Sequence, residues 1–150
     1  MNSLNACIMN WEAETVSPRK INIKLNSIAP HFLVPDVIAS AEFYRDKLGF
    51  DFNRYWGDPP NFVILFRDNV QLVPSQNDTN NPLPFERGPF DTYIWLDSGI
   101  GKLYGTYQEN GVEIVEPLEE TFYGMQQFLI KDLNGYIICF GEDLPSSLDS

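Results

Sequence analysis

Pro35-Asp-Val-Ile-Ala-Ser-Ala-Glu-Phe-Tyr-Arg-Asp-Lys-Leu-Gly-Phe50 is the stretch whose reading decides the fold. Asp36 stands where a carboxylate can accept from the first orphan amides of a helix. From Val37 the apolar residues Ala41, Tyr44 and Leu48 recur at helical spacing, and Gly49 sits where a left-handed C′ residue is wanted. Upstream, Ser27 to Val34 reads as a strand ending at Pro35. Downstream, strands are predicted over Phe50 to Trp56, Phe62 to Arg67 and Val70 to Val73. Gly57-Asp-Pro-Pro60 and Asp68-Asn69 separate them, both with turn chemistry. The order is β-α-β-β-β.

After a stretch rich in Pro, Asn, Ser and Gly the same order returns. Phe90 to Leu96 alternates as a strand, Leu103 and Tyr107 mark a helix closed by Gly111, and strands follow at Val112 to Val115, Met125 to Ile130 and Tyr136 to Phe140. Gly49-Phe50 matches Gly111-Val112 and Arg67-Asp68 matches Lys131-Asp132, at an offset of about 62 to 64 residues. One offset shared by helix end, strand and turn points to a duplicated unit. Residues 1–22 read as a poorly ordered leader and 23–145 as one domain, with module one over about 27–74, a linker over 75–89 and module two over about 90–142. The expected class is α+β.

The net charge of -11 repels phosphate backbones and anionic membranes, so neither nucleic acid nor a membrane is an expected partner. A hydrophobic fraction of 43% separates the chain from acidic disordered sequences and predicts a packed core. Cys7 lies in a polar leader and Cys139 in an apolar run, which gives neither a disulfide framework nor a CxxC metal site. A reducing cytoplasm suits that usage, and the sequence opens with no targeting segment.

Ala29-Pro-His-Phe-Leu-Val-Pro-Asp-Val37 with Ala41-Glu-Phe-Tyr-Arg-Asp-Lys-Leu-Gly-Phe50 resembles the first strand and helix of the vicinal oxygen chelate superfamily. Tyr123-Gly-Met-Gln-Gln-Phe128 and Lys131-Asp-Leu-Asn-Gly-Tyr-Ile-Ile-Cys-Phe-Gly141 resemble its closing strands. Trp56-Gly-Asp-Pro-Pro60, Tyr123-Gly-Met125 and the Phe140-Gly ending are most similar to bleomycin-resistance-like members. The resemblance implies two tandem βαβββ modules forming a curved, cleft-enclosing mixed sheet. It also implies a homodimer in which two chains share two clefts.

Metal-dependent relatives converge four ligands from the first and last strands of each half. The matching positions here are Ala29, Gln71, Asp91 and Cys139. A missing ligand, a weak neutral oxygen, one carboxylate and a soft thiol suit no common divalent ion. No metal and no cofactor are therefore expected, and no catalytic residue is assigned. The expectation is a protein that sequesters an aromatic or cationic small molecule. The alternative is a lyase, isomerase or dioxygenase with a nonstandard metal site at Asp91 and Gln71 or His31.

Strand alternation sends His31 and Leu33, and likewise Asp91, Tyr93 and Trp95, to the cleft, with Phe32, Val34, Thr92, Ile94 and Leu96 against the helices. His31, the one histidine of the chain, suits a ligand contact, a hydrogen-bonded structural role or a displaced metal ligand. Trp56, Phe62, Tyr123 and Met125 border the groove in similar proteins, where rings stack on flat ligands and attract cations. Asp58 and Asp91 would reinforce that preference. The same rings would also serve to fill a small curved barrel. Glu109, Glu113, Glu116, Glu119 and Glu120 read as a solvated acidic face.

Overall fold

The computed structural model describes residues 21–78 and 88–145. Strands β1 (His31–Val34), β2 (Tyr55–Trp56), β3 (Phe62–Val63), β4 (Leu65–Arg67) and β5 (Val70–Gln76) and helix α1 (Val37–Leu48) form the first module. Helix α2 (Ile100–Glu109) and strands β6 (Thr92–Leu96), β7 (Glu113–Glu120), β8 (Met125–Lys131) and β9 (Ile137–Asp143) form the second. The leader and most of the linker lie outside the described residues.

Helix α1 begins and ends as its sequence dictates. The Asp36 carboxylate accepts from the amides of Ile38 and Ala39 at 3.1 Å each. Gly49, at φ 80°, closes the helix in the left-handed region, where a Cβ would be strained. Val37, Ala41, Tyr44 and Leu48 are buried, as their spacing predicts. Helix α2 lacks a capping side chain of its own. The Glu142 carboxylate on β9 instead accepts from the Ile100 amide at 2.9 Å, placing negative charge at the positive helix end.

Each module carries its own mixed sheet. The first has the order β1-β5-β3-β2, with β4 also on β5, and the second β6-β9-β8-β7. In both, the first strand runs parallel to the last, and the other pairings are antiparallel. A parallel pairing requires a crossover, and the helix supplies it.

Several expected strand limits differ from those observed: in module two β6 starts at Thr92 rather than Phe90, β7 runs to Glu120 rather than Val115, and β9 runs to Asp143 rather than Phe140. β1 starts at His31 and not Ser27, because Pro30 has no amide for the ladder, although its carbonyl accepts from Val73 at 3.0 Å. The segment from Phe50 to Trp56, with Asp51, Asn53 and Arg54 of low strand propensity, shrinks to β2 and an isolated bridge from Asp51 to Phe66. Strand β5 runs on to Gln76, past the expected linker start. The expected single strand from Phe62 to Arg67 breaks at Ile64. Leu65 pairs with Leu72 and Phe62 with Ser75, so the break falls opposite Val73 and Pro74. The Val73 amide points to β1, hence the next would point to β3 and β4. Pro74 has none to give there.

The core lies between the sheets and the helix layer, which also joins the modules. Phe32 on β1 stacks on Tyr136 with ring centroids 4.2 Å apart, and the Tyr136 hydroxyl donates to the Leu33 carbonyl at 2.7 Å. The helix C-termini clasp each other: Lys47 Nζ donates to the Asn110 carbonyl at 2.9 Å, and Asn110 Nδ2 returns a bond to the Lys47 carbonyl at 3.0 Å. Such contacts leave the opposite face of each sheet open.

Candidate functional site

On the helix side Phe32, Val34 and Ile94 are buried, whereas Leu33 is 39% exposed and Trp95 68% exposed on the opposite faces. Alternation therefore places His31, Leu33, Tyr93 and Trp95 as expected. Strand register then defines one row of residues across each open face. In module two the row runs Trp95, Gly141, Gln127, Glu119 from β6 to β7. In module one it runs Leu33, Ser75, Phe62, Trp56 from β1 to β2.

The module-two row is organised around Gln127. Its Oε1 accepts from the Tyr93 hydroxyl at 3.2 Å and from the Tyr123 hydroxyl at 2.7 Å. Tyr93 reaches it by lying across β9, and Gly141 makes this possible: a Cβ there would collide with the Tyr93 phenol. Trp95 continues the aromatic surface, its ring 4.5 Å from that of Tyr93. Burial, followed by the negative potential of Cys139, Tyr123 and Asp143, pushes the Tyr93 hydroxyl up to about 12. It remains a donor at neutral pH. Met125 is buried at the start of β8, two residues before Gln127 and on the same face of the strand.

A cavity of about 380 Å³ adjoins Tyr123 and Gln127, walled by Glu116, Glu119, Glu120 and Phe122. The sequence reading assigned these glutamates to a solvated face. Glu116, Glu119 and Glu120 are exposed, in keeping with that reading, and they also line the pocket beside Tyr123. The hairpin from β7 to β8 is responsible, since its turn brings Glu119 opposite Gln127 and Glu120 opposite Gln126. That pairing follows from the position of the turn at Thr121 to Gly124, and it was the signal available in the sequence.

In module one, His31 Nε2 lies 2.6 Å from Ser75 Oγ on the exposed face. Trp56 and Phe62 stack with centroids 5.8 Å apart and planes within 4°. The Arg54 guanidinium covers Trp56 at 3.6 Å from the ring centroid. Asp58 is exposed in the turn between β2 and β3. Asp91 anchors the backbone: its amide donates to the Ile137 carbonyl at 2.7 Å, and its Oδ2 accepts from the Ile137 amide at 2.8 Å. The structure thus brings Tyr93, Trp95 and Tyr123 together, gathers His31, Phe62 and Trp56 on the other sheet, and gives Asp91 a strand-joining bond.

Three of the four family ligand positions are poorly placed to donate to a metal. Ala29 offers no donor, the Asp91 carboxylate is engaged by Ile137, and Cys139 is fully buried with its thiol pushed up to about 12 by burial. Among the described residues no three His, Cys, Asp or Glu side chains gather to hold a metal ion. A larger groove, of about 850 Å³, runs on the helix side between α1, α2 and the edge of β6. Of the residues predicted for the site, Trp95 alone lines it. Of its three cations, Lys47 and Arg67 are engaged by the Asn110 and Leu48 carbonyls, and the third is Lys102 on α2. The sheet faces are accordingly the stronger candidate.

Comparison with known proteins places this geometry. The profile of the Glyoxalase/Bleomycin resistance protein/Dioxygenase superfamily matches residues 24–140. No curated protein matches the sequence. Among solved structures, TioX from Micromonospora sp. ML1 is similar at TM-score 0.64 and 16% identity, over 79% of this chain and 100% of that one. A glyoxalase/bleomycin resistance protein/dioxygenase from Alicyclobacillus acidocaldarius aligns at TM-score 0.65 and 18% identity, over 83% of this chain and 96% of that one. One from Nocardioides aligns at TM-score 0.63 and 18% identity, over 93% and 95% respectively. At these identities the likeness establishes the fold.

Proposed function

Starting from the chain's membership of the Glyoxalase/Bleomycin resistance protein/Dioxygenase superfamily, we propose that it is a small-molecule binding protein of the bleomycin-resistance type, sequestering a cationic aromatic ligand without a metal. One observation carries the reading: Tyr93 packs ring to ring against Trp95 and is joined to Tyr123 through Gln127, beside a pocket lined by three glutamates. Aromatic faces attract cations through their quadrupole, by about 0.5 to 2 kcal/mol per contact. Carboxylates at the rim add attraction of the same sign.

The exposed apolar side chains on both sheet faces support a second element of the proposal, a homodimer in which two chains share two clefts. Leu33, Trp56 and Trp95 are exposed by 39%, 40% and 68%. Trp56 adjoins Phe62 and Trp95 adjoins Tyr93, so each face carries an apolar patch of the kind that marks an interaction or ligand site. No helix among the described residues is long and apolar enough to cross a membrane.

The test is calorimetric titration of the full chain with 2-naphthylmethylammonium. Saturable binding that weakens about tenfold in Trp95→Ala and about twofold in Glu119→Gln supports the proposal. Equal affinity in wild type and Trp95→Ala would sink it.

A further inference from the structure

The two rows occupy equivalent positions in the two modules, yet their ends carry opposite charge. Each runs from the first strand through the last to the second strand of its βαβββ unit: Leu33, Ser75, Phe62 and Trp56 against Trp95, Gly141, Gln127 and Glu119. The position held by Glu119 in module two is held in module one by Trp56, whose ring lies under the Arg54 guanidinium.

We infer that Arg54 makes the module-one face selective for aromatic anions, the reverse of the preference proposed for module two. Arg54 immediately precedes β2, and its guanidinium lies over the Trp56 ring. At 3.6 Å from the centroid the guanidinium lies against the indole and occupies the ring surface a ligand cation would need. No carboxylate of the described residues pairs with it, and Arg54 is exposed, so its planar fork of N–H groups is open to a ligand. Phe62 lies parallel to the indole and extends the stack toward Ser75 and His31. A flat ligand resting on Phe62 would present a carboxylate edge to the Arg54 fork, which matches carboxylates in a bidentate manner. Arg54 is thus a specificity-determining residue. The inference rests on the reading of the open faces as ligand surfaces.

The experiment uses two ligands of one shape and opposite charge, 2-naphthoate and 2-naphthylmethylammonium, titrated into uniformly ¹⁵N-labelled full-length protein. The indole N–H resonances of Trp56 and Trp95 report the two faces separately, assigned through Trp56→Phe and Trp95→Phe. The expected result is that naphthoate shifts Trp56, the ammonium shifts Trp95, and Arg54→Gln weakens naphthoate about fivefold while leaving the ammonium affinity unchanged. Arg54→Lys keeps the charge but not the fork, and falls between wild type and Arg54→Gln. The inference is overturned if naphthoate leaves Trp56 unmoved while the ammonium still shifts Trp95, or if Arg54→Gln binds naphthoate as wild type does. If neither ligand moves either indole, the binding reading itself fails and takes the inference with it.

Discussion

The Tyr44 hydroxyl donates a 2.6 Å hydrogen bond to Asp132 Oδ2, joining the first helix to the last turn across 88 residues of sequence. Both side chains are buried. The second helix makes the matching reach in the other direction. Tyr107, one module offset beyond Tyr44, accepts from Arg67 Nη1 at 3.1 Å and donates to the Leu48 carbonyl at 3.0 Å. Duplication thus yields two tyrosines that each cross to the other module's strand turn. These bonds hold the helix layers together while the opposite sheet faces stay open.

Removing the first of these bonds isolates a buried acceptor. Tyr44→Phe is expected to lose about 1 to 3 kcal/mol, because Asp132 Oδ2 is left without its donor. Urea unfolding of the full chain at neutral pH measures this. A loss below a few tenths of a kcal/mol would mean the bond is idle.

Stability should also fall with rising pH through the Asp132 titration. Burial raises this carboxyl above its ordinary value of 3.8, against smaller opposing effects of bonds from Tyr44, Tyr136 and Asn134. The folded protein therefore holds the proton more tightly than the unfolded chain. Its contribution is fully present below 3.8 and is lost as pH rises through the raised folded value. Asp132→Asn keeps a carbonyl acceptor for the two backbone amides and does not titrate. The wild-type stability minus that of Asp132→Asn should decline with pH across this window. A difference that climbs instead would contradict the burial argument.

Gly141 is expected to be intolerant of any side chain while Tyr93 is present. A Cβ at this position meets the Tyr93 phenol, which must move and release Gln127. Gly141→Ala should cost about 1 to 3 kcal/mol and weaken ligand binding on the module-two face. In the double variant with Tyr93→Ala the stability cost of the added methyl should largely vanish, giving a clear coupling energy. Additive costs would place Tyr93 elsewhere.

The proposed pairing of two chains predicts a sedimenting mass near twice 17.2 kDa. Placing a charge on the exposed apolar strand face, as in Leu33→Asp, should shift the distribution toward the single chain. A single-chain mass for wild type at all concentrations would remove the dimer from the account.

What could be read in the sequence was set by range. The α1 boundaries depend on Asp36, Gly49 and the residues between, so local chemistry disclosed them. The facing of His31, Leu33, Tyr93 and Trp95 needed strand alternation alone. The break at Ile64 required knowing which residue lies opposite Pro74, and the Asp91 bond required the register of β6 on β9. Both arise from pairings between distant segments. The exposure of Glu116, Glu119 and Glu120 was legible in their charge, whereas their place beside Tyr123 depended on the hairpin pairing. The contact of Arg54 with Trp56 depends on the bend at Asn53 before β2, which strand alternation does not predict. The indole was therefore read as open to a ligand cation.

The central claim, that the open face of module two is a ligand surface, is tested most directly by intermolecular nuclear Overhauser effects between bound 2-naphthylmethylammonium and the full-length protein. The account predicts cross-relaxation from naphthyl protons to the rings of Tyr93, Trp95 and Tyr123. Contacts to Leu103 and Thr106 in the helix-side groove, in place of those rings, would contradict it.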